Sequence, residues 1–212
     1  RHVAVGFQRQ SKRKKATIDG AEPVRLADAI GAFPAVIFSP SDAELVAGAP
    51  SERRRFLDVM LSLASRAYLS ALQRYRAALA RRNAALREPS STGAEEAIAV
   101  WEPALAEAGA VLWRTRRAWV HAHAEAFVTL CAAIGEQGAS ALRYVTPLDC
   151  EDADVEQRLL EALARRRTLD VRRGMTHAGP HRDDLELTLD DRDLRTFGSA
   201  GQQRTAAIAL RL

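Results

Sequence analysis

Cysteine is nearly missing from this chain: 212 residues include only Cys131 and Cys150. Two cysteines make neither a disulfide framework nor a cysteine-ligated zinc site, and a reducing, cytosolic compartment is the default expectation. No apolar run approaches the ~20 residues that cross a bilayer, so no membrane partner is expected. The opening RHVAVGFQRQSKRKK lacks the apolar stretch and small-residue cleavage site of a signal peptide. It also lacks an initiating methionine and begins inside a strand pattern, so the chain is expected to be cut from something longer. No glycine is followed by lysine, which excludes a G-x-x-x-x-G-K-[ST] phosphate loop. LELTLDD at 185–191 superficially resembles an apolar strand ending in a magnesium-binding acidic pair. Its alternating Glu and Thr suit a half-exposed hairpin better than a buried parallel strand. The chain alone therefore holds no complete nucleotide site.

What is present is ordinary for a soluble globular protein: 47% hydrophobic and 27% charged residues, enough for a core. A net charge of +4 and a pI near 9.5 allow an anionic partner without requiring one. Residues 3–20 read as a hairpin, with Val3, Val5 and Phe7 alternating before a basic turn, QSKRKK, and a return strand, ATIDG. AVIFSP at 35–40 reads as a short buried strand ended by Pro40. From Ser51 to Arg87 the residues Phe56, Met60, Leu63, Leu72, Tyr75, Leu79 and Leu86 recur at helical steps. The pattern predicts an amphipathic helix broken near Ser65, with arginines on its outer face. After the loop EPSSTG at 88–93, a second helical stretch runs to Ile134, with Trp101, Leu105, Leu112, Trp119, Phe127 and Leu130 as its seam. Pro103 should kink or restart it. Two such stretches imply an antiparallel helical arm. ALRYVTP reads as a strand, DVEQRLLEALARRR as a helix, and DDLELTLDDRDLRTFGS as a hairpin with Leu185, Leu187 and Leu189 on one face. The fold class is α/β (α+β) with a helical insertion.

Four features carry candidate chemistry. In FGSAGQQR at 197–204, Ser199 can cap a helix and Gly201 lets a ligand approach the backbone. A helix N-terminus suits phosphate, and Ala200, Gln202, Gln203 and Arg204 stand around it. The bland alternative is a capped strand-to-helix turn. GPHRDD at 179–184 puts His181, Arg182 and Asp183 beside Asp184. Acid–base chemistry is conceivable there, but Arg182 repels a cation, and a Gly-Pro turn leading into an Arg–Asp salt bridge is the simpler reading. His121 and His123 lie two apart on a helix, roughly 200° around its axis, and cannot share a metal. Lys12, Arg13, Lys14 and Lys15 form either a solvated hairpin tip or a contact for DNA phosphates; the runs at 53–55 and 165–167 share that ambiguity.

Taken together and in order, three passages make a resemblance. VIFSPSDAELVAGAPSERRRFLD at 36–58, YRAALARRNAALR at 75–87, and THAGPHRDDLEL with FGSAGQQRTAAIAL resemble segments of the RecF family, in the RecF/SMC branch of ABC-type ATPases. Ala200 stands where family members often carry Gly or Gln. The resemblance implies an ABC-ATPase-like head with a long helical arm. Residues 1–40 would end lobe I, 41–140 would form the arm of lobe II, and 141–212 would return to the core and end at the signature. It further implies an ATP- and Mg2+-dependent homodimer that binds double-stranded DNA beside single-stranded gaps and helps RecO and RecR load RecA. Ser199, Ala200, Gly201 and Gln202 would then contact ATP held by the partner subunit. The Walker motifs of the family lie outside this stretch, which should not hydrolyse ATP alone. A non-enzymatic helical module that binds DNA or protein is the alternative. A structural chromosome protein would need longer arms.

Overall fold

Alternation at the start of the chain produces the expected hairpin. In the computed structural model, which describes residues 2–9, 13–22, 39–87, 94–148 and 150–212, β1 (Val3–Gln8) pairs antiparallel with β2 (Arg13–Ile18). Phe7 lies opposite Lys14 and Gly6 opposite Lys15. These two lysines therefore sit within a strand and not at a tip, and Lys15 pairs with Glu22. Lys12, the Arg13 side chain, the expected strand at 35–38 and the loop at 88–93 lie outside the described residues.

A 3-10 turn at Pro40–Ala43 leads into the short α1 (Glu44–Ala47), then α2 (Pro50–Ala64) and α3 (Arg66–Arg87). The break falls at Ser65, whose backbone is extended (φ −138°, ψ 116°). Its amide bonds back to Leu61, and its hydroxyl accepts from Tyr68 N at 3.2 Å. One residue thus ends a helix and caps the next. After α4 (Ala94–Ala99), Pro103 sits in the first turn of α5 (Glu102–Ile134), where its missing N–H costs nothing. Pro103 therefore marks a restart and not a kink. At ~1.5 Å per residue this helix is roughly 50 Å long.

Helices α3 and α5 form an antiparallel pair, as successive cross-contacts show: Tyr68 with Arg116, Arg74 with Glu107, Arg82 with Glu102. The fully buried residues of α2 are Leu57 and Leu61; the expected Phe56 and Met60 are partly buried against the same core, and only Leu63 departs, at 40% exposed. Along α3 the stripe is Tyr68, Ala71, Leu72, Tyr75, Ala78, Arg82 and Leu86. The arginines are not all on the outer face: Arg53, Arg82 and Arg116 are buried. Buried guanidinium groups persist only where carboxylates and carbonyls meet them, and each of these three has such partners.

The rest of the chain is β3 (Ser140–Val145), α6 (Val155–Arg173), β4 (Asp184–Leu189), β5 (Arg192–Asp193), α7 (Leu194–Phe197) and α8 (Ala200–Arg211). The three strands form one antiparallel sheet in the order β3-β4-β5. Leu185, Leu187 and Leu189 are buried on one face of β4 and join the core with Leu57, Leu61, Tyr75 and Leu112. The hairpin turns on Asp190 and Asp191, both at positive φ (50° and 60°), a geometry matching the twist of the flanking strands. Its second strand is only two residues long, because Asp193 already caps α7.

Candidate functional site

The segment that opens α8 is assembled from three local devices. Asp193 accepts from Thr196 Oγ1 at 2.7 Å, closing the single turn of α7, and Leu194 anchors it in the core. Gly198 is then required by its own backbone, since a Cβ there would lie 2.5 Å from the Leu194 carbonyl oxygen. Ser199 follows as N-cap (φ −64°, ψ 160°) in a reciprocal capping box. The Gln202 amide donates to Ser199 Oγ at 3.2 Å, and the Ser199 amide donates to Gln202 Oε1 at 2.8 Å.

Gln203 faces the other way. Its side-chain amide donates to the carbonyls of Leu194 at 3.0 Å and Arg195 at 3.3 Å, so it ties α8 to α7 and does not offer itself to a ligand. Ala206, Ala207, Ala209 and Leu210 bury the opposite face of α8. The outward surface holds Ser199, Ala200, Gly201 and Arg204, all exposed. Among the described residues the amides of Ala200 and Gly201 have no acceptor. A Cβ on Gly201 would meet nothing closer than Ser199 Oγ at 3.8 Å, so this glycine, unlike Gly198, is not demanded by the chain's own packing. The result is a helix end with two free N–H donors, a serine hydroxyl and the positive pole of the helix dipole, presented outward.

The GPHRDD segment is built inward. His181 is largely buried between Tyr75, whose hydroxyl lies 2.6 Å from Nδ1, and the Thr176 carbonyl, 3.0 Å from Nε2. Desolvation lowers its pKa to about 4, with Arg182 and Arg54 pushing the same way. It is therefore neutral, donating from Nε2 and accepting at Nδ1. Arg182 forms no ion pair with its neighbouring aspartates; it donates to the Thr176 carbonyl at 2.9 Å. The expected Arg–Asp pair within the motif is replaced by longer-range partners. Asp184 is held by Arg53 through Nε at 2.9 Å and Nη2 at 2.7 Å, a two-pronged contact. The Asp183 carboxylate accepts from Tyr144, and its carbonyl accepts from Arg54 at 2.7 Å. Burial raises the Asp183 pKa.

Two buried ion clusters flank this loop. Arg82 donates to Asp170 at 2.7 Å, Thr176 at 2.9 Å and Glu102 at 3.0 Å, while Arg167 takes the other oxygen of Glu102. Arg116 meets Asp58 at 2.7 Å, the Tyr68 hydroxyl at 3.0 Å and the Pro180 carbonyl at 2.7 Å. His181, Asp183 and Asp184 are thus each fastened to another part of the fold, while Arg182 closes the loop on itself through the Thr176 carbonyl. Geometrically the segment is a fastening point between α2, α3, β3 and β4. The arginines that fasten it were legible as interruptions of apolar stripes: Arg53 precedes Leu57 and Leu61 at steps of four, and Arg82 lies between Ala78 and Leu86.

The depressed His181 pKa gives a checkable pH dependence. Between about 6.5 and 4 the unfolded chain binds more protons than the folded one, so this stabilisation is complete above 6.5 and is lost as pH falls towards 4. The loss is about 3 kcal/mol at most. His181→Gln keeps one donor and one acceptor and should flatten this limb. Urea denaturation at pH 7 and pH 4.5 compares the two; equal losses in both proteins would refute the assignment.

No family model matches the chain. Among curated proteins it is 41% identical over 192 residues to the DNA replication and repair protein RecF of Herpetosiphon aurantiacus, covering 89% of this chain and 49% of that one. The corresponding RecF of Salinibacter ruber is 38% identical, with 94% and 50% covered. That of Bacteroides fragilis is 37% identical, with 99% and 55% covered. Among solved structures, the recombination mediator protein RecF of the RecFOR pathway superposes with TM-score 0.89 as RecF-ATP (27% identity) and 0.86 as RecF-ATPrS (26%). Each comparison covers 99% of this chain and 57% of the solved one. The mixed helix-and-strand architecture, with its long helical arm, matches these ABC-ATPase-like structures. The chain spans about half the length of the curated relatives it matches, and by sequence and fold together it belongs to the RecF family.

Proposed function

We propose that this chain supplies the signature half of an ATP site that a second subunit completes, within an ATP-dependent DNA-binding protein of replication and recombinational repair. The carrying observation is the outward end of α8: Ser199 Oγ and the amides of Ala200 and Gly201, which have no acceptor among the described residues, on an exposed surface. Such a helix end takes an anion without rearrangement. Support comes from the solved relatives, one of them named as RecF-ATP. In this reading Ser199, Ala200, Gly201 and Gln202 receive the γ-phosphate of ATP bound across a two-fold homodimer interface. Gln202 acts through the capping box that fixes the serine. Mg2+ neutralises the phosphates alongside them. Residues 1–40 and 141–212 belong to the ATPase head and 41–140 to the arm of lobe II. The assembled dimer engages double-stranded DNA beside gaps and works with RecO and RecR in loading RecA.

The test is Ser199→Arg in the full-length protein. ATP binding to the monomer should persist while ATP-dependent dimerisation, followed by light scattering, is lost. Gly201→Ala is a gentler probe: the new methyl has room in the monomer, so stability should hold or rise by a few tenths of a kcal/mol, yet dimerisation should weaken. Wild-type dimerisation in both variants rejects the reading.

A further inference from the structure

A basic cleft of about 220 Å³ lies away from α8, between α2, α3 and α5. Arg54, Arg55, Arg76 and Arg116 face it against a single carboxylate, Asp58, a net of three positive charges. Asp58 is already engaged by Arg76 at 2.9 Å and by Arg116 at 2.7 Å, and its Oδ1 also accepts from Tyr68. Neither Arg54 nor Arg55 has an ion-pair partner among the described residues, and Arg54 spends one nitrogen on the Asp183 carbonyl. The remaining polar groups of the cleft floor are neutral: Tyr75 and His181 satisfy each other.

Two further observations point the same way. Ser51, in the first turn of the 15-residue α2, lines the cleft, so the positive pole of that helix opens on it. Burial lowers the Arg54 pKa; among the charges around it Asp184 acts most strongly and raises it, while Arg116 and, less strongly, Arg182 lower it. Arg54 is thus a partly buried cation with other guanidinium groups beside it. A planar guanidinium fork matches the oxygens of phosphate in two-pronged fashion, and several converging forks favour a multiply charged oxyanion over a lone carboxylate.

We infer that the cleft bordered by Arg54, Arg55 and Arg76 binds a phosphate-class oxyanion, either a free phosphate compound or the phosphodiester backbone of a nucleic acid. The site is separate from the α8 terminus and does not depend on the reading given for it.

The experiment uses the full-length protein and the variants Arg55→Glu, at an exposed and unpaired position, and Arg54→Gln/Arg55→Glu. Inorganic pyrophosphate and a blunt DNA duplex are titrated separately without ATP. If the ligand is a backbone, duplex affinity falls about tenfold or more in the double variant. The slope of log K against log[salt] then shrinks by about two, and pyrophosphate distinguishes nothing. If the ligand is a free phosphate compound, pyrophosphate binding is lost in the variants and duplex binding is unchanged. The arginine substitutions should cause the same loss when made in a Ser199→Arg background, where the α8 terminus is blocked, which separates this site from the signature. Variants that match the wild type with both probes overturn the proposal, and Arg55→Glu alone keeps the test valid if the double variant folds poorly.

Discussion

Arg82→Met is expected to destabilise the protein by about 3–5 kcal/mol, towards the lower end of that range. Arg82 is fully buried, and its partners Asp170 and Glu102 are 0% and 3% exposed. Methionine fills much of the volume but leaves two carboxylates without their central cation. The loss is softened because Asp170 keeps His177, 2.8 Å from its Oδ1, and Glu102 keeps Arg167 at 2.7 Å. The contrast is Arg74→Ala, which breaks a pair whose side chains are 54% and 56% exposed and should cost under about 1 kcal/mol. Urea denaturation of both variants measures the difference, and similar midpoints would show that the buried cluster contributes no more than a surface pair.

Gly179→Ala should be comparably damaging for a different reason. Gly179 has φ +128°, which L side chains rarely adopt. A Cβ there would also overlap the Tyr75 hydroxyl, already committed to His181. Backbone strain contributes about 1–3 kcal/mol and overpacking about as much again. The same substitution at Gly201 is sterically free, so thermal melts of the two alanine variants side by side discriminate between a fold-determined glycine and a ligand-facing one. A Gly179→Ala protein melting with the wild type would contradict the loop geometry described above.

Periodicity made most of the architecture readable. The stripe of α3, the break at Ser65, the restart at Pro103 and the alternation of Leu185, Leu187 and Leu189 all follow from local rules, because burial at fixed steps leaves a direct trace in sequence. The capping box was legible in part: Ser199 announced a cap, but the inward turn of Gln203 depends on where α7 ends. The failures share one cause. Arg53, Arg82 and Arg116 look like outer-face residues because a charge in a helix usually is one. Their burial is decided by Asp184, Asp170, Glu102 and Asp58, and nothing in the sequence around these carboxylates pairs them with those arginines. Steps of four that align Arg53 with Leu57 and Leu61, and Arg82 with Ala78 and Leu86, mark the face each arginine shares but not the distant carboxylate it meets. Likewise, Phe56 and Met60 pack against the core as expected, but Leu57 and Leu61 are its fully buried members and Leu63 turns outward.

Sequence distance also bears on how long this fold persists. The contacts that fasten the 176–184 loop join residues 131 apart (Arg53 and Asp184), 106 apart (Tyr75 and His181) and 94 apart (Arg82 and Thr176). Closing such separations costs entropy before any bond rewards it, whereas the α3–α5 pair forms from nearer neighbours. The fastening contacts therefore belong to the late part of the folding route. Substitutions there should leave the folding rate nearly unchanged and raise the unfolding rate. The long-range contacts of His181, Asp183 and Asp184 thus act as the clock of the molecule, setting the lifetime of the native state.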